Sequence, residues 1–421
     1  MNRYNILLDS AEINCKSNSI LSSQIYKYLT KNNHRIIREL SLADYIIVNT
    51  CGFDNIHEAV STTLFEEYSH GNRDDAKITS IGCLNKINTS LQALWPEVIF
   101  VSDLNQLDRL FFNKVRFSNI DEAYLDQETL PQLAVSNKRG YDSISKIAFL
   151  VARIVYLTTK RVTPLGSRTM RTFEKLSLLN QFYVEIGRGC VSNCNYCIIK
   201  KARGDIQSRR LDQIMRDIDT LYNPKQSLCL VADDCGCYGL DISESIFTLL
   251  RAINKRYADL DIDLCYVNPF WIQKYEEEFV NLFEETQISS INIPIQSGSD
   301  RIIKLMNREY SVENVIRVIN RIKEVSPQTI ILTHIILGFP GENDEDFQRT
   351  LSMVKWFDFA RSFIYSDRKG TVSCLMENKV PETIKNSRKR MFRVRLYRIL
   401  LGRILHGFFQ ANTLRGWRET G

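Results

Sequence analysis

The segment Gly189-Cys190-Val191-Ser192-Asn193-Cys194-Asn195-Tyr196-Cys197 puts three cysteines in a C-x3-C-x2-C run directly after a strand-like stretch. Three thiolates on one short loop can grip three irons of a [4Fe–4S] cluster and leave the fourth iron without a protein ligand. An open coordination position is what separates a catalytic metal centre from a closed electron carrier or a structural zinc site. Zinc would ordinarily require a fourth Cys or His at useful spacing. None lies nearby, and zinc stays the alternative that the triplet leaves open.

Three more cysteines fall near the N-terminus, each at or beside an expected strand-to-helix junction: Cys15 in Ile13-Asn14-Cys15-Lys16-Ser17-Asn18, Cys51 in Asn49-Thr50-Cys51-Gly52-Phe53, and Cys83 in Gly82-Cys83-Leu84. Taken singly, each reads as a small buried hydrophobe. In a parallel sheet, however, such junctions converge on one edge, so residues far apart in sequence can meet there. Three cysteines at equivalent topological places point to a shared metal site.

These residues resemble the radical-SAM methylthiotransferase family. Tyr196 before the third cysteine of the triplet is part of the radical-SAM pattern. Cys15 with Asn18, Asn49-Thr50-Cys51 and Gly82-Cys83 match the family's C-x-x-N, N-T-C and G-C contexts. Further matches are Arg203-Gly204, Ser208-Arg209, Asp234 with Tyr238-Gly239, Pro294 to Asp300, Met306-Asn307-Arg308, Gly338 to Glu342, and Tyr365-Ser366 with Gly370-Thr371, so the likeness spans residues 1–380.

The resemblance implies two [4Fe–4S] clusters, one on Cys190, Cys194 and Cys197 and an auxiliary one on Cys15, Cys51 and Cys83. S-adenosylmethionine is implied as cofactor, with Arg203, Asp234, Gln296, Ser297, Ser299 and Gly338 in the motifs expected to contact it. Gln296, Ser297 and Ser299 offer neutral donors and acceptors suited to an adenosine or methionine moiety, and Gly338 permits a tight turn beside a ligand. Family members insert a sulfur and a methyl group at unactivated C–H positions of tRNA bases or a ribosomal protein. One S-adenosylmethionine methylates a sulfur at the auxiliary cluster; a second is cleaved to a radical that removes the substrate hydrogen. A reductant such as flavodoxin or ferredoxin is implied.

The elements that must position these residues follow from hydropathy. Apolar runs at Tyr4–Leu8, Tyr45–Val48, Ile78–Ile81 and Val98–Val101, most of them separated by helix-length segments, predict a parallel α/β sheet of flavodoxin-like type over residues 1–117. A second series, with strands expected at Phe182–Ile186, Leu228–Ala232, Ile262–Tyr266, Ile291–Ile295, Ile330–Ile336 and Arg361–Tyr365, predicts a partial (βα)6 barrel over 182–380. Its functional residues belong at strand C-terminal ends. Residues 118–181, with a basic helical pattern at Ile144–Lys160, read as an interdomain connection.

The 421 residues are 44% hydrophobic and carry a formal charge of +6, which places the chain among globular proteins and permits a nucleic-acid partner without demanding one. No apolar signal region follows Met1 and no stretch reaches membrane-span length, so a cytoplasmic chain with reduced thiols is expected. Members of the family usually finish with a small β-barrel. Residues 381–421 instead show a basic helical pattern, in which Lys385 to Arg403 carry an apolar stripe. A tail docked on the barrel is therefore expected, with a peptide or protein substrate favoured over tRNA. Cys229, Cys235, Cys237, Cys265 and Cys374 are left without an assigned role.

Overall fold

In the computed structural model, residues 3–12, 15–71, 75–125, 172 and 181–418 are described, the last fifteen of these by backbone only. The Ile144–Lys160 pattern and most of the 118–181 connection lie outside them. The described residues divide into two compact units, one built on those up to 125 together with 181–253 and 366–374, the other on 254–365 and those from 375 onward.

The first unit opens with β1 (Asn5–Ser10), α1 (Lys16–Lys31), β2 (Arg35–Ile37), β3 (Tyr45–Thr50), α2 (Asn55–Gly71), β4 (Lys77–Gly82), α3 (Leu84–Ile87) and β5 (Ile99–Phe100). All pairings are parallel and the strand order is β2-β1-β3-β4-β5, the flavodoxin order. Strand β3 is buried at every position and β1 at all but its first, as near-continuous apolar strands covered on both faces should be. Leu7, Ile46, Val48 and Ile78 pack against Leu64 and Phe65 of α2. The sequence missed β2, because three residues are too few for a periodic signal. The order reverses between β1 and β3, so the carboxyl ends of those strands flank the crevice where sheets of this kind bind ligands.

The same unit contains β6 (Tyr124–Leu125), β7 (Gln181–Glu185), β8 (Gly187–Arg188), α4 (Ile199–Arg203), β9 (Gln207–Ser208), α5 (Leu211–Leu221), β10 (Ser227–Val231) and all but the last turn of α6 (Ile246–Arg256). Strands β7 and β10 are parallel, β6 runs antiparallel to β7, and β8 and β9 form a two-stranded ribbon enclosing the cysteine loop.

The second unit carries β11 (Ile262–Leu264), α7 (Glu276–Glu285), β12 (Ile288–Asn292), α8 (Val312–Val325), β13 (Ile330–Leu337), α9 (Asp344–Met353), β14 (Phe359–Ile364) and α10 (Glu382–Arg418). Strands β11 to β14 pair in parallel in sequence order. The succession β7, β10, β11, β12, β13, β14, with helices intervening, is that of a radical-SAM partial (βα)6 barrel, as expected. The fourth strand begins and ends three residues before the expected Ile291–Ile295. Pro294 cannot donate to a ladder, and Gln296 turns the chain with φ +62°.

Helix α10 begins at Glu382, and Lys385, Arg388, Phe392, Leu396 and Leu400 are buried at three- and four-residue spacing. The tail therefore docks, and its face is not simply solvated. Arg388 is buried and bonds Glu342 at 3.2 Å and Asp344 at 2.8 Å, so it is not a surface charge. Burial pushes the Glu342 carboxyl up to about 7 even beside Arg388. Among the described residues, no helix is long and apolar enough to cross a membrane.

Candidate metal centres

Cys15 precedes α1, Cys51 follows β3 and Cys83 follows β4, so the sheet order puts all three at its carboxyl edge. Cys51 and Cys83 are buried and Cys15 is half-buried. Cys83 lies close enough to act electrostatically on Cys15, and both act on Cys51.

The polar residues around the cysteines clamp these three loops. Asn49 donates at 2.8 Å to both the Asn18 carbonyl and Ser22 Oγ, while Asn18 donates to the Thr50 carbonyl at 3.4 Å. Thr50 Oγ1 donates to the Ile81 carbonyl at 2.6 Å, and the Cys83 N–H donates to the Thr50 carbonyl at 3.2 Å. Gly82 has φ +98°, and a Cβ there would lie 2.4 Å from the Thr50 carbonyl oxygen, so glycine lets β4 close against β3. Asn18, Ser22 and Ser23 are buried on α1, which explains why a helix face turned to the sheet is polar at this end.

His57 joins the first two loops. It donates from Nδ1 to Asp54 at 2.6 Å and from Nε2 to Glu12 at 2.8 Å. Burial disfavours the charged ring, but the bonds to Asp54 and Glu12 outweigh it and lift the pKa to about 9. A His pKa raised above its unfolded value near 6.5 adds stability that is complete below about pH 6.5 and is lost as pH rises through about 9. We expect His57→Gln to cost on the order of 2 kcal/mol at pH 6, after allowance for a partly hydrated ring, and much less at pH 10. Urea unfolding of cluster-free parent and variant at both pH values measures this. A parent–variant gap that does not shrink at high pH would show that the ring is not charged in the fold.

The second triad occupies the loop between β8 and α4. Gly189 has φ +81°, and a Cβ there would meet the Asp205 carbonyl oxygen at 2.1 Å. The Cys190 N–H donates to the Gly204 carbonyl at 3.3 Å, and that of Cys197 to the Cys194 carbonyl at 3.0 Å. Lys200 closes the loop by donating to the Cys190 carbonyl and to Asp205. Segment 366–374 braces both triads. Arg368 pairs with Glu58 at 2.6 Å and Asn55 at 2.8 Å on α2, and the Ser373 N–H donates to the Asn195 carbonyl at 2.9 Å.

Burial pushes the thiols of Cys15 and Cys197 up to about 11 and that of Cys51 higher still, so metal must displace their protons. Cys190 differs: a hydrogen bond with Cys237 holds it below the usual thiol range. Its Sγ lies 3.9 Å from Asp234 Oδ2. Cys190, Asp234 and Cys237 have their ligand atoms within 4.8 Å of one another, the single-ion spacing that, among the described residues, no other such group shows. Neither cysteine triad has that close spacing. A cubane takes one thiolate per iron, and an all-thiol donor set is the chemistry that suits it.

The other expected site residues fall in two places. Asp234 caps the turn after β10, accepting from the Gly236 N–H at 3.0 Å. Arg203 does not stay in its own loop: its guanidinium lies 3.6 Å from Cys83 Sγ. In the second unit, Gln296 is buried in a left-handed conformation, and its Oε1 has no hydrogen-bond partner among the described residues. A strained backbone holding an orphaned acceptor is a feature of ligand sites. Ser297 and Ser299 are engaged internally, with Thr350 at 3.3 Å and Asp346 at 2.6 Å. Gly338 makes room for Lys385, whose Cγ would stand 2.4 Å from a Cβ there.

Sequence reasoning missed Asp233, His57 and Glu12 and left Cys237 unassigned. The acidic pair Asp233-Asp234 at the end of a barrel strand was the one available signal. Cys229 and Cys235 are buried, and Cys265 and Cys374 are half-buried.

Known proteins resemble the chain in both parts. Residues 184–354 match the radical SAM superfamily, and residues 10–101 match a family described as uncharacterized protein family UPF0004. Ribosomal protein uS12 methylthiotransferase RimO of Thermosipho africanus is 29% identical over 386 residues, covering 89% of this chain and 79% of the relative. Its counterparts in Chlamydia abortus and Thermotoga maritima are 25% and 27% identical, covering 90% of this chain and 76% and 81% of theirs. Among solved structures, the radical S-adenosylmethionine methyltransferase TsrM from Kitasatospora setae superposes with a TM-score of 0.54 at 14% identity, covering 86% of this chain and 75% of that one, a likeness of fold.

Proposed function

Because the chain belongs to the radical-SAM methylthiotransferase family, we propose that it inserts a methylthio group at an unactivated C–H of a peptide or protein. The observation that carries this reading is the pair of cysteine triads in one compact unit, braced by a common segment, Ser366 to Cys374. In it, residues 1–117 hold one cluster through Cys15, Cys51 and Cys83, and residues 182–380 hold the other through Cys190, Cys194 and Cys197. The connection 118–181 and the tail 381–421 are left for substrate.

When bound, the two clusters supply reductive cleavage of S-adenosylmethionine to a hydrogen-abstracting radical and a sulfur that can be methylated. The protein's part is to bind, orient and exclude water. Lys200 and the Cys190–Gly204 backbone bond fix the Cys190 loop, so that three thiolates present together. Within the second unit, Ser297 and Ser299 hold the Gln296 turn against α9 and leave its amide oxygen as an acceptor for a ligand. Asp234 turns the β10 loop toward Cys190, and Gly338 seats the buried start of α10. A flavodoxin or ferredoxin would supply electrons.

A protein substrate is favoured for two reasons. The curated relatives are named for ribosomal protein uS12, and α10 uses its basic residues partly in internal pairing. Arg390, Arg395 and Arg398 remain exposed, and so do Met391, Val394, Tyr397 and Leu401. Truncating the tail would strip core contacts, so the test replaces Arg390, Arg395 and Arg398 with glutamine. With S-adenosylmethionine and reductant, methylthio product should form on peptide or ribosomal protein and not on tRNA, and the substitutions should leave it largely intact. Methylthio-tRNA as the product would overturn the reading. So would tight tRNA binding with a log–log salt slope of about −0.7 per contact that vanishes in the variant.

A further inference from the structure

Arg203 ends α4, six residues after the last cysteine of the catalytic triplet, yet its guanidinium reaches the other cysteine site. Its Nη2 stands 3.6 Å from Cys83 Sγ and 3.5 Å from Asn18 Oδ1, and its Nη1 stands 3.5 Å from Asp233 Oδ1. Asp233 in turn accepts the Gly189 N–H through Oδ2 at 2.8 Å. An unbroken chain thus runs from Cys83 through Arg203 and Asp233 to the residue before Cys190. The side chain of Arg203 is only 12% exposed.

The surroundings tighten this link. Ile198 and Ala202 of the α4 segment pack with Cys83 and Ile87, and Lys201 donates to the Ile87 carbonyl at 2.9 Å. The helix that leaves one cysteine loop is therefore seated on the helix that begins at the other. A guanidinium keeps its proton in proteins and presents a rigid planar fork, so its separate nitrogens can reach partners on two sides, a span that the compact point charge of an ammonium does not cover. A buried cation needs compensating negative charge. Asp233 provides one carboxylate, shared with Gly189, and the next nearest candidates are the sulfurs of the N-terminal triad.

We propose that Arg203 is a positioning residue of the N-terminal cluster: a permanent counter-charge beside the Cys83 thiolate which, through Asp233, fixes that site relative to the Cys190 loop. This rests on the two-cluster reading above. A fixed positive charge favours the reduced, more negative state of a cluster, and hydrogen bonds to its sulfurs act in the same direction. Arg203→Met should lower the midpoint potential of the N-terminal cluster. Arg203→Lys should keep that potential near the parent's but lose the two-point span. Methylthio product per 5′-deoxyadenosine should then fall about tenfold or more, as small misplacements of reacting groups do.

The test uses the full chain after anaerobic reconstitution. Potentials are read by EPR-monitored titration with Cys190, Cys194 and Cys197 replaced by alanine, so that only the N-terminal cluster reports. S-adenosylmethionine affinity is measured with the triplet intact. The expected result is a lowered potential in Arg203→Met, a near-parental one in Arg203→Lys, and cofactor affinity within about twofold of the parent in both. Iron lost selectively from the N-terminal site in Arg203→Met, and retained in Arg203→Lys, also supports the proposal. An unmoved potential in Arg203→Met overturns it, and a tenfold loss of cofactor affinity alongside would assign Arg203 to S-adenosylmethionine instead. A parent chain holding about four irons would remove the two-cluster reading and this inference together. About eight irons with an unmoved potential would remove the inference alone.

Discussion

Replacing Cys190, Cys194 and Cys197 together with alanine should halve the iron, from about eight to about four per chain, and abolish 5′-deoxyadenosine formation. The substitutions remove one heavy atom each from a half-buried loop whose shape is set elsewhere, by Gly189, by the Cys190–Gly204 backbone bond and by Lys200. The cluster-free variant should consequently unfold at nearly the parent's temperature, and loss of activity cannot then be charged to misfolding. Iron and acid-labile sulfide analysis, together with anaerobic assay of S-adenosylmethionine cleavage, decide the matter. A variant that still cleaves the cofactor would mean that the open-site cluster is held by other residues. Cys237 should be watched in this experiment, since its sulfur lies beside that of Cys190 and could retain a stray ion with Asp234. An optical spectrum separates such an ion from a cubane.

Alanine at Cys15, Cys51 and Cys83 should split the reaction in two. Reductive cleavage of S-adenosylmethionine should survive within a few-fold, because the triplet loop and its braces are untouched. Methylthio product should fall below detection, because under the proposed function these three thiols hold the site that carries the sulfur. Cys51 and Cys83 are buried, so small voids will cost on the order of 1 kcal/mol each. That is tolerable, because the clamp formed by Asn18, Asn49 and Thr50 remains. Iron should again fall to about four per chain. The two variants are thus alike in iron and opposite in chemistry, which is the strongest contrast the two-site reading makes. Continued delivery of the methylthio group by this variant would take the N-terminal sheet out of the reaction.

The sequence by itself determined what is local. The C-x3-C-x2-C triplet lies within eight residues and needs no fold to be recognised. The alternation of short apolar runs with helix-length segments was enough for a parallel α/β architecture, because a strand covered on both faces must be apolar throughout. The three N-terminal cysteines could be grouped for the same reason, since each follows a strand and the ends of parallel strands share an edge. The motif residues around them carried the family likeness, although their work as a clamp was not visible.

Only the tertiary structure decided which side chains meet across long separations. Arg203 lies 120 residues from Cys83, and Cys237 lies 47 from Cys190. No periodicity links either pair; they are joined because α4 packs on α3 and because the β10 turn folds back over the triplet loop. His57 carries no signal in the sequence, and its role follows only from Glu12 and Asp54 standing on its two nitrogens. The tail shows the same limit from the opposite side. Arg388 belongs to a run that reads as solvated charge, but Glu342 and Asp344 stand opposite it, and a buried guanidinium is tolerable only where such partners are already in place. Local pattern fixes which face a residue takes on its own element. What waits on that face is set by the packing of elements far apart in the chain, and the partner's charge decides whether a titratable group becomes a surface residue, a clamp or part of a metal site.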